Sequence, residues 1–379
     1  MHIYYLSNSL IPSRKANSVQ VMKMCQAFSK QGHEVVLFCR KPPKNVKSED
    51  PFHHYGIEKP FTIEPLNFPK IRFISRFLFS LAVIWRMRTY KGEGILYGRD
   101  RYLLGFMALL GAIKYPMSFE AHSPPSDGFQ TYLQRKVFTH KKFQKLIVIS
   151  EALEKEYLRL FGDILKGKII VAHDGADGSQ IPPVLLNGQP SLNNGQSFKI
   201  GYIGHLYPGK GMETISQLPP LLPDCEFHIV GGTDEDINHW KNTCQYENLI
   251  FHGFVPHEQV YDYMAQFHVM LMPYQANVIV GRKKIDIGRW MSPLKLFEYM
   301  GGGKPIVASD LPVLREVLSE GENALLANPE TPQEWADKIH LLKKDPELRE
   351  KIRKTAQQNF FDLYTWDRDK RAELILGEV

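Results

Sequence analysis

Twice along its length the chain runs through the same alternation of short apolar stretches and longer amphipathic ones. The first series contains HIYYLSN (2–8), HEVVLFCR (33–40), GILYGR (94–99), MSFEAHS (117–123), KLIVIS (145–150) and KIIVAHD (168–174). These runs are short and rich in β-branched and aromatic residues, as buried strands are. Apolar helical segments separate most of them. SVQVMKMCQAFSKQG, after the first run, sets Val21, Met22, Cys25 and Phe28 on one helical face, with Ser18 suited to cap its start and Gly32 to end it. The second series contains FKIGYIG (198–204), EFHIVGG (226–232), NLIFHGF (248–254), HVMLMPY (268–274), PIVASD (305–310) and NALLAN (323–328). Between the series, residues 178–197 are rich in Gly, Pro, Asn and Ser and read as a linker or surface loop. Residues 332–379 read as mostly helical. This rhythm predicts an α/β chain of two doubly wound, Rossmann-like domains facing a central cleft. The expected limits are 1–180, a linker over 181–197, 198–360 and a terminal helix over 361–379. Ligands of such sheets bind beyond the carboxyl ends of the strands.

Composition narrows the function. The 379 residues are 43% hydrophobic, ample for large cores and unlike a disordered chain. Cys25, Cys39, Cys225 and Cys244 form no C-x-x-C pair and have no His cluster beside them, so they read as reduced core thiols. FLFSLAVIW (77–85) and YLLGFMALLGAI (102–113) fall short of the roughly 20 residues that span a bilayer. The N-terminus has no basic region followed by a long apolar run, so no signal peptide is read. The expected location is the cytoplasm, with the periphery of the inner membrane face also open. The net charge of +6 hides an asymmetry: residues 1–180 hold 27 Lys+Arg against 15 Asp+Glu, and residues 181–379 hold 20 against 26. KIRFISRFLFSLAVIWRMRTYK (70–91) and RKVFTHKKFQK (135–145) carry much of the first-half charge. A basic amphipathic surface attracts anionic lipid by about 1 kcal/mol per charge. A soluble anionic acceptor, or solvated charges on helices buried by their other face, explains the same residues. No nucleic-acid recognition motif is present.

Two stretches carry the chemistry. In KIGYIGHLYPGKGMETI (199–215), Gly204 to Lys210 reads G-x-x-x-x-G-K, but Gly211 stands where an ATPase P-loop has its Mg²⁺-binding hydroxyl. A glycine-bearing loop between strand and helix can still offer N–H groups to a diphosphate, and Lys210 adds a charge. Taken alone, the stretch reads equally well as a turn with a solvated lysine. Pro219 cuts the following helix short. In WMSPLKLFEYMGGGKPIVASD (290–310), Ser292 is suited as N-cap and Pro293 as first helical residue. Leu294 and Phe297 then face a core, and Gly301–Gly303 end the helix. Its free N–H groups make a second anion site. Glu298, just over a turn inside, is within reach of a ribose hydroxyl pair; a plain surface residue is the other reading.

These segments resemble the donor domain of retaining glycosyltransferases of family four, with the GT-B architecture. GHLYPGKGMETI is similar to that family's G-R-L-x-x-x-K-G loop. NLIFHGFVPHEQVYDYMAQFHVMLMPY, which includes Val255, resembles the stretch leading to the donor site, and SPLKLFEYMGGGKPIVAS the family's most characteristic segment. SVQVMKMCQAFSKQGHEVVLF, EAHS, LIVISEALEKEYL and HDGAD resemble its landmarks in order. YTWDRDKRAELIL is similar to the terminal helix that crosses back onto the first domain.

The resemblance implies an acceptor-side first domain and a nucleotide-sugar donor domain. It implies that Lys210, with Gly204, His205 and Gly211, holds the donor diphosphate, that Ser292 and Leu294 contribute at the second helix start with Val255 nearby, and that Glu298 takes the ribose. Two departures stand out. The family usually has Arg at the position of His205, so Arg282, Lys283 and Lys284 are candidates to supply the charge. The first glutamate of its E-x₇-E motif is Trp290 here, and indole accepts no hydrogen bond from a sugar. Asp286 is the candidate replacement. In the first half the family keeps a His near the donor sugar, which points to His122. Where a glycine pair often approaches phosphate, this chain has Ala16, Asn17 and Ser18, and Ser18 is the candidate contact. The implied chemistry is positioning and electrostatic stabilisation, with Lys210, His122 and Asp286 in catalysis. The leaving phosphate accepts the incoming hydroxyl's proton, so no carboxylate pair is required, and the absence of D-x-D implies no obligatory metal. The expected donor is a UDP-sugar, with a GDP-sugar next. The expected acceptor is a glycan, lipid-linked or anionic. An anionic membrane surface is a further candidate partner; nucleic acid is not. A catalytically weak nucleotide-sugar-binding protein or subunit is the alternative, and a P-loop ATPase a third reading that Gly211 argues against.

Overall fold

The apolar runs form two parallel sheets in the computed structural model, which describes residues 1–13, 15–42, 50–68, 71, 74–186, 196–280, 285–366 and 370–377. The chain divides into two units: unit 1 is Met1–His173 with Trp366–Val379, and unit 2 is Asp174–Thr365.

Unit 1 strings together β1 (His2–Leu10), α1 (Ala16–Lys30), β2 (Glu34–Arg40), α2 (Pro51–His54), β3 (Thr62–Leu66), α3 (Ser75–Met87), β4 (Gly94–Gly98), α4 (Arg101–Leu109), β5 (Met117–Ala121), α5 (Gly128–Phe138), β6 (Phe143–Val148), α6 (Glu151–Phe161) and β7 (Ile169–Val171). The sheet order is β3-β2-β1-β4-β5-β6-β7. Ile3, Tyr4, Tyr5 and Leu6 of the central β1 are all fully buried, because helices cover both faces of the sheet. With the usual right-handed crossovers this strand order calls for α1 on one face and α3 to α6 on the other. Accordingly α3 packs on α4 and α4 on α5, while the terminal helix Lys370–Leu376 packs beside α1. Strand β3, TIEPL, has no counterpart in the sequence reading. It is an edge strand, where Pro65 costs no ladder bond, and its polar, Pro-bearing sequence carries no apolar signal.

Unit 2 runs α7 (Pro183–Leu186), β8 (Phe198–Ile203), α8 (Met212–Ile215), β9 (Cys225–Val230), α9 (Asp234–Thr243), β10 (Leu249–Gly253), α10 (His257–Gln266), β11 (Val269–Met272), β12 (Ile279–Val280), β13 (Ile285–Asp286), α11 (Leu294–Gly301), β14 (Ile306–Ser309), β15 (Leu325–Ala327), α12 (Pro332–Lys344) and α13 (Pro346–Leu363). The main sheet is ordered β10-β9-β8-β11-β14-β15, and β12 and β13 form a separate hairpin. Ile181 and Leu185, inside the stretch read as a linker, are buried in the unit 2 core; residues 187–195 lie outside the described residues. Strand order reverses between β8 and β11, so the loops after these two strands open at a topological switch point. The four cysteines are free, and three of them are buried. Among the described residues, no helix is long and apolar enough to cross a membrane.

Candidate active site

The loop after β8 is shaped by its glycines. Gly204 has φ 153° and Gly211 φ 115°, backbone that side chains rarely adopt. A Cβ on Gly211 would also lie 2.3 Å from the Pro273 ring, so this residue type is what lets the loop close against the loop after β11. The expected helix shrinks to the single turn of α8. Its glycine N–H groups are not open: Gly209 N–H donates to Glu213 Oε1 at 2.8 Å and Gly211 N–H to Glu213 Oε2 at 3.2 Å. The loop is therefore not an amide cradle of the P-loop kind, and Gly211 acts by geometry.

What the loop does present is Lys210. Its Nζ donates to the Tyr274 hydroxyl at 3.3 Å and stands 4.6 Å from the Tyr274 ring centroid and 5.2 Å from that of Tyr207. Burial pulls its pKa down to about 8. From the other side of the switch point, Lys295, the second residue of α11, reaches the same ring. Its Nζ lies 4.8 Å from the Tyr274 centroid and 4.0 Å from that of Tyr202. That nitrogen is buried with no hydrogen-bond partner among the described residues. The sequence reading passed over Lys295, although it stands inside the quoted SPLKLFEYM. Periodicity assigned its neighbours to the core, and only the tyrosines of β8 and of the loop after β11 reveal where it goes.

His205 contributes no charge. Burial, then the charges of Lys210 and Lys295, pushes its pKa below the ordinary imidazole value. Its ring stacks on Tyr207, and its carbonyl accepts from the Tyr202 hydroxyl at 2.7 Å. Arg282, Lys283 and Lys284 lie outside the described residues.

Three expected contacts take other roles. Ser292 does not cap α11. The N-cap is Pro293, without a side-chain cap, and Ser292 Oγ accepts the Asp174 N–H at 2.8 Å. Asp286 Oδ1 accepts from Val278 N–H and Gly288 N–H, both at 2.9 Å. That oxygen braces the hairpin. Ser18 is fully buried, and its hydroxyl donates to the carbonyls of Ser13 (2.8 Å) and Lys15 (2.7 Å). Lys15 is the N-cap of α1, so Ser18 is an internal brace and not the cap. Leu294 and Glu298 are half-buried on α11, with Glu298 three residues beyond Lys295. Val255 is half-buried against the unit 2 core.

In unit 1, His122 follows β5. Its Nε2 hydrogen-bonds Glu120 Oε1 at 2.6 Å. Glu120 is wholly buried and also accepts from Gln20 Nε2 (2.7 Å), the Tyr97 hydroxyl and Arg371 Nη2 (3.1 Å). Burial by itself raises the Glu120 carboxyl, but the Arg371 charge and the His122 hydrogen bond outweigh it and hold it well below the carboxylate range. Arg371 comes from the terminal helix and also donates to the carbonyls of Ala172 and His173.

The family described as Glycosyl transferases group 1 matches residues 187–359, and Glycosyltransferase Family 4 matches residues 18–180. The chain belongs to the glycosyltransferases of GT-B architecture. Sucrose-phosphate synthase from Thermosynechococcus elongatus superposes with a TM-score of 0.73, 18% identical, over 98% of this chain and 97% of that one. HepE of Anabaena, solved in complex with UDP, has a TM-score of 0.71 and 17% identity over 98% of each chain. At these identities the likeness concerns the fold. A putative teichuronic acid biosynthesis glycosyltransferase, TuaH of Bacillus subtilis, is 28% identical over 123 residues. That match spans 32% of this chain and 29% of TuaH, less than two thirds of the relative's length.

Proposed function

We propose that this glycosyltransferase moves a sugar from a nucleoside-diphosphate donor to a hydroxyl of a glycan acceptor, with retention at the anomeric carbon. The observation that carries the reading is Lys210 held against Tyr274 at the switch point of unit 2, where a diphosphate would dock. Lys210 and the uncapped start of α11, near Ser292 and Leu294, bind the leaving diphosphate. Gly204 keeps the floor of the site low, Val255 lies on its base side, and Glu298 takes the ribose hydroxyls. His122, oriented by Glu120, is the catalytic contribution of unit 1. In the transfer step the acceptor oxygen bonds to the anomeric carbon as the bond from that carbon to the β-phosphate oxygen breaks. The electron pair leaves with the diphosphate, and the acceptor's proton passes to a phosphate oxygen of the same leaving group. Charge develops on that diphosphate, which is where a fixed cation stabilises the transition state most.

Uridine is the favoured base, since HepE is described with UDP and with UDP-glucose. Thermal-shift screening against UDP, GDP and their sugars tests this. Stabilisation of about 2.7 kcal/mol is expected at a hundredfold excess over Kd. No response to any nucleoside diphosphate sinks the reading. Donor binding without turnover on a competent acceptor favours a binding protein instead, a reading that Trp290 and the commitment of Asp286 Oδ1 keep specific.

The acceptor side is proposed to work at an anionic lipid surface. Residues 65–92, 101–119 and 128–150 contain 13 Lys+Arg and no Asp or Glu. They include the three packed helices α3, α4 and α5, and Leu81, Trp85, Phe129 and Tyr132 are exposed on them. Apolar side chains among cations of which Arg86 is paired, with Glu64 of β3, suit a negatively charged bilayer and an acceptor carried by it or rich in acid groups. Sedimentation with phosphatidylglycerol vesicles should exceed that with phosphatidylcholine vesicles and fall for Trp85→Ser; equal binding to both overturns the idea.

A further inference from the structure

We propose that Lys295 grips the donor's diphosphate together with Lys210, supplying the second cation that His205 does not. The inference rests on the donor-site reading above and adds a residue to it. The other buried lysines among the described residues are satisfied. Lys304 Nζ donates to the carbonyls of Phe267 (2.9 Å) and Ala265 (3.2 Å), and Lys23 Nζ to the carbonyl of Gly56 (3.0 Å). Lys295 Nζ is also withdrawn from water, yet among the described residues it meets only the faces of Tyr202 and Tyr274. Aromatic faces attract a cation but offer no oxygen lone pair to its N–H donors. An amine kept in such a place at a cost to folding is explained by an anion that completes it. The approach is left open by Gly204: a Cβ there would lie 2.9 Å from Nζ, so any other residue would crowd the amine. Lys210 shares the Tyr274 ring, so one diphosphate can meet both nitrogens.

Burial, then the Lys210 charge, holds the Lys295 amine well below the ordinary lysine value, while Glu298 pulls the other way. The other titratable groups around it are His205 and the phenols of Tyr202 and Tyr274, the phenols held protonated by burial. A diphosphate entering this cluster favours the charged amine, so donor binding takes up protons from solution.

The test is titration calorimetry of the full chain and of Lys295→Met with UDP, GDP, uridine, guanosine and pyrophosphate. Loss of one charge-assisted contact predicts about 10- to 100-fold weaker binding of the diphosphates. Nucleoside affinity should not change, and the buffer-dependent proton uptake should shrink. Thermal stability of the variant should equal or exceed that of the parent, because the amine has no partner to lose. His205→Arg added to Lys295→Met should restore much of the affinity. Undiminished diphosphate binding by Lys295→Met overturns the proposal, as does an equal loss for nucleoside and diphosphate, which would mark a structural lysine. Failure of the parent chain to bind any diphosphate overturns the donor-site reading itself.

Discussion

Each unit buries charge near the end of a central strand, and the two do it in opposite ways. In unit 1 the Glu120 carboxylate is surrounded by Arg371, His122, Gln20 and Tyr97, so charge and hydrogen-bonding capacity are met from within the protein. In unit 2 two lysines gather around Tyr274; Lys210 has only the Tyr274 hydroxyl as a hydrogen-bond acceptor, and Lys295 has none among the described residues. The first arrangement holds a fold together and fixes an imidazole. The second leaves donors unmet within the protein, and under the proposed function a ligand would meet them. Satisfaction of buried polar groups thus separates a brace from a binding site where burial alone would not.

The sharpest way to break this comparison is Arg371→Met. It leaves Glu120 buried without its main counter-charge, held by His122, Gln20 and Tyr97, so a loss of up to about 3–5 kcal/mol in unfolding free energy is expected, read by urea denaturation. A neutral result would mean that Glu120 is not held by charge. Next comes Lys210→Ala, for which kcat/KM in sugar transfer should drop by about 10²–10³, with the melting temperature unchanged or raised. Lys304→Met sharpens the contrast between the lysines. It strands two carbonyls and should cost about 1–3 kcal/mol, whereas Lys295→Met should cost none.

The smallest effect is in pH. The folded chain holds Lys210 at about 8, below the reference of about 10.4, so the unfolded chain binds more protons between these values. Stability of the ligand-free protein should therefore rise from about pH 8 toward 10, where tyrosines of the unfolded chain begin to ionise. UDP affinity should fall over the same range, by up to about tenfold per pH unit, as the Lys210 ammonium is lost. Parallel trends in stability and affinity would show that Lys210 does not bind the donor as a cation.

Most of the fold was legible from residues alone. The apolar runs of both series became the sheet strands, because a parallel strand covered on both faces must be apolar throughout. Strand β3 escaped because an edge strand is under no such demand. The hairpin β12–β13 escaped because each arm has two residues. The candidate site was legible only in part. Lys210 stood out because glycines flank it, and the family resemblance drew attention to His122 and Glu298. Neither Ser18 nor Ser292 is the helix cap that the sequence suggests, and both, like Asp286, have backbone partners that only the structure reveals. A short polar side chain at a loop or helix start has several backbone partners in reach: Ser18 and Asp286 take ones within 8 residues, whereas Ser292 takes the amide of Asp174, 118 positions away.

The order of elements, the glycine loop after β8 and the acid-free helices of unit 1 follow from the sequence itself, since periodicity, backbone permission and net charge are local properties. The pairing of Lys210 with Lys295 around one tyrosine is not local. It joins residues 85 positions apart, on elements that meet only because the strand order reverses between β8 and β11. Sequence supplied the charges, and the tertiary structure decided which of them would be left without a partner.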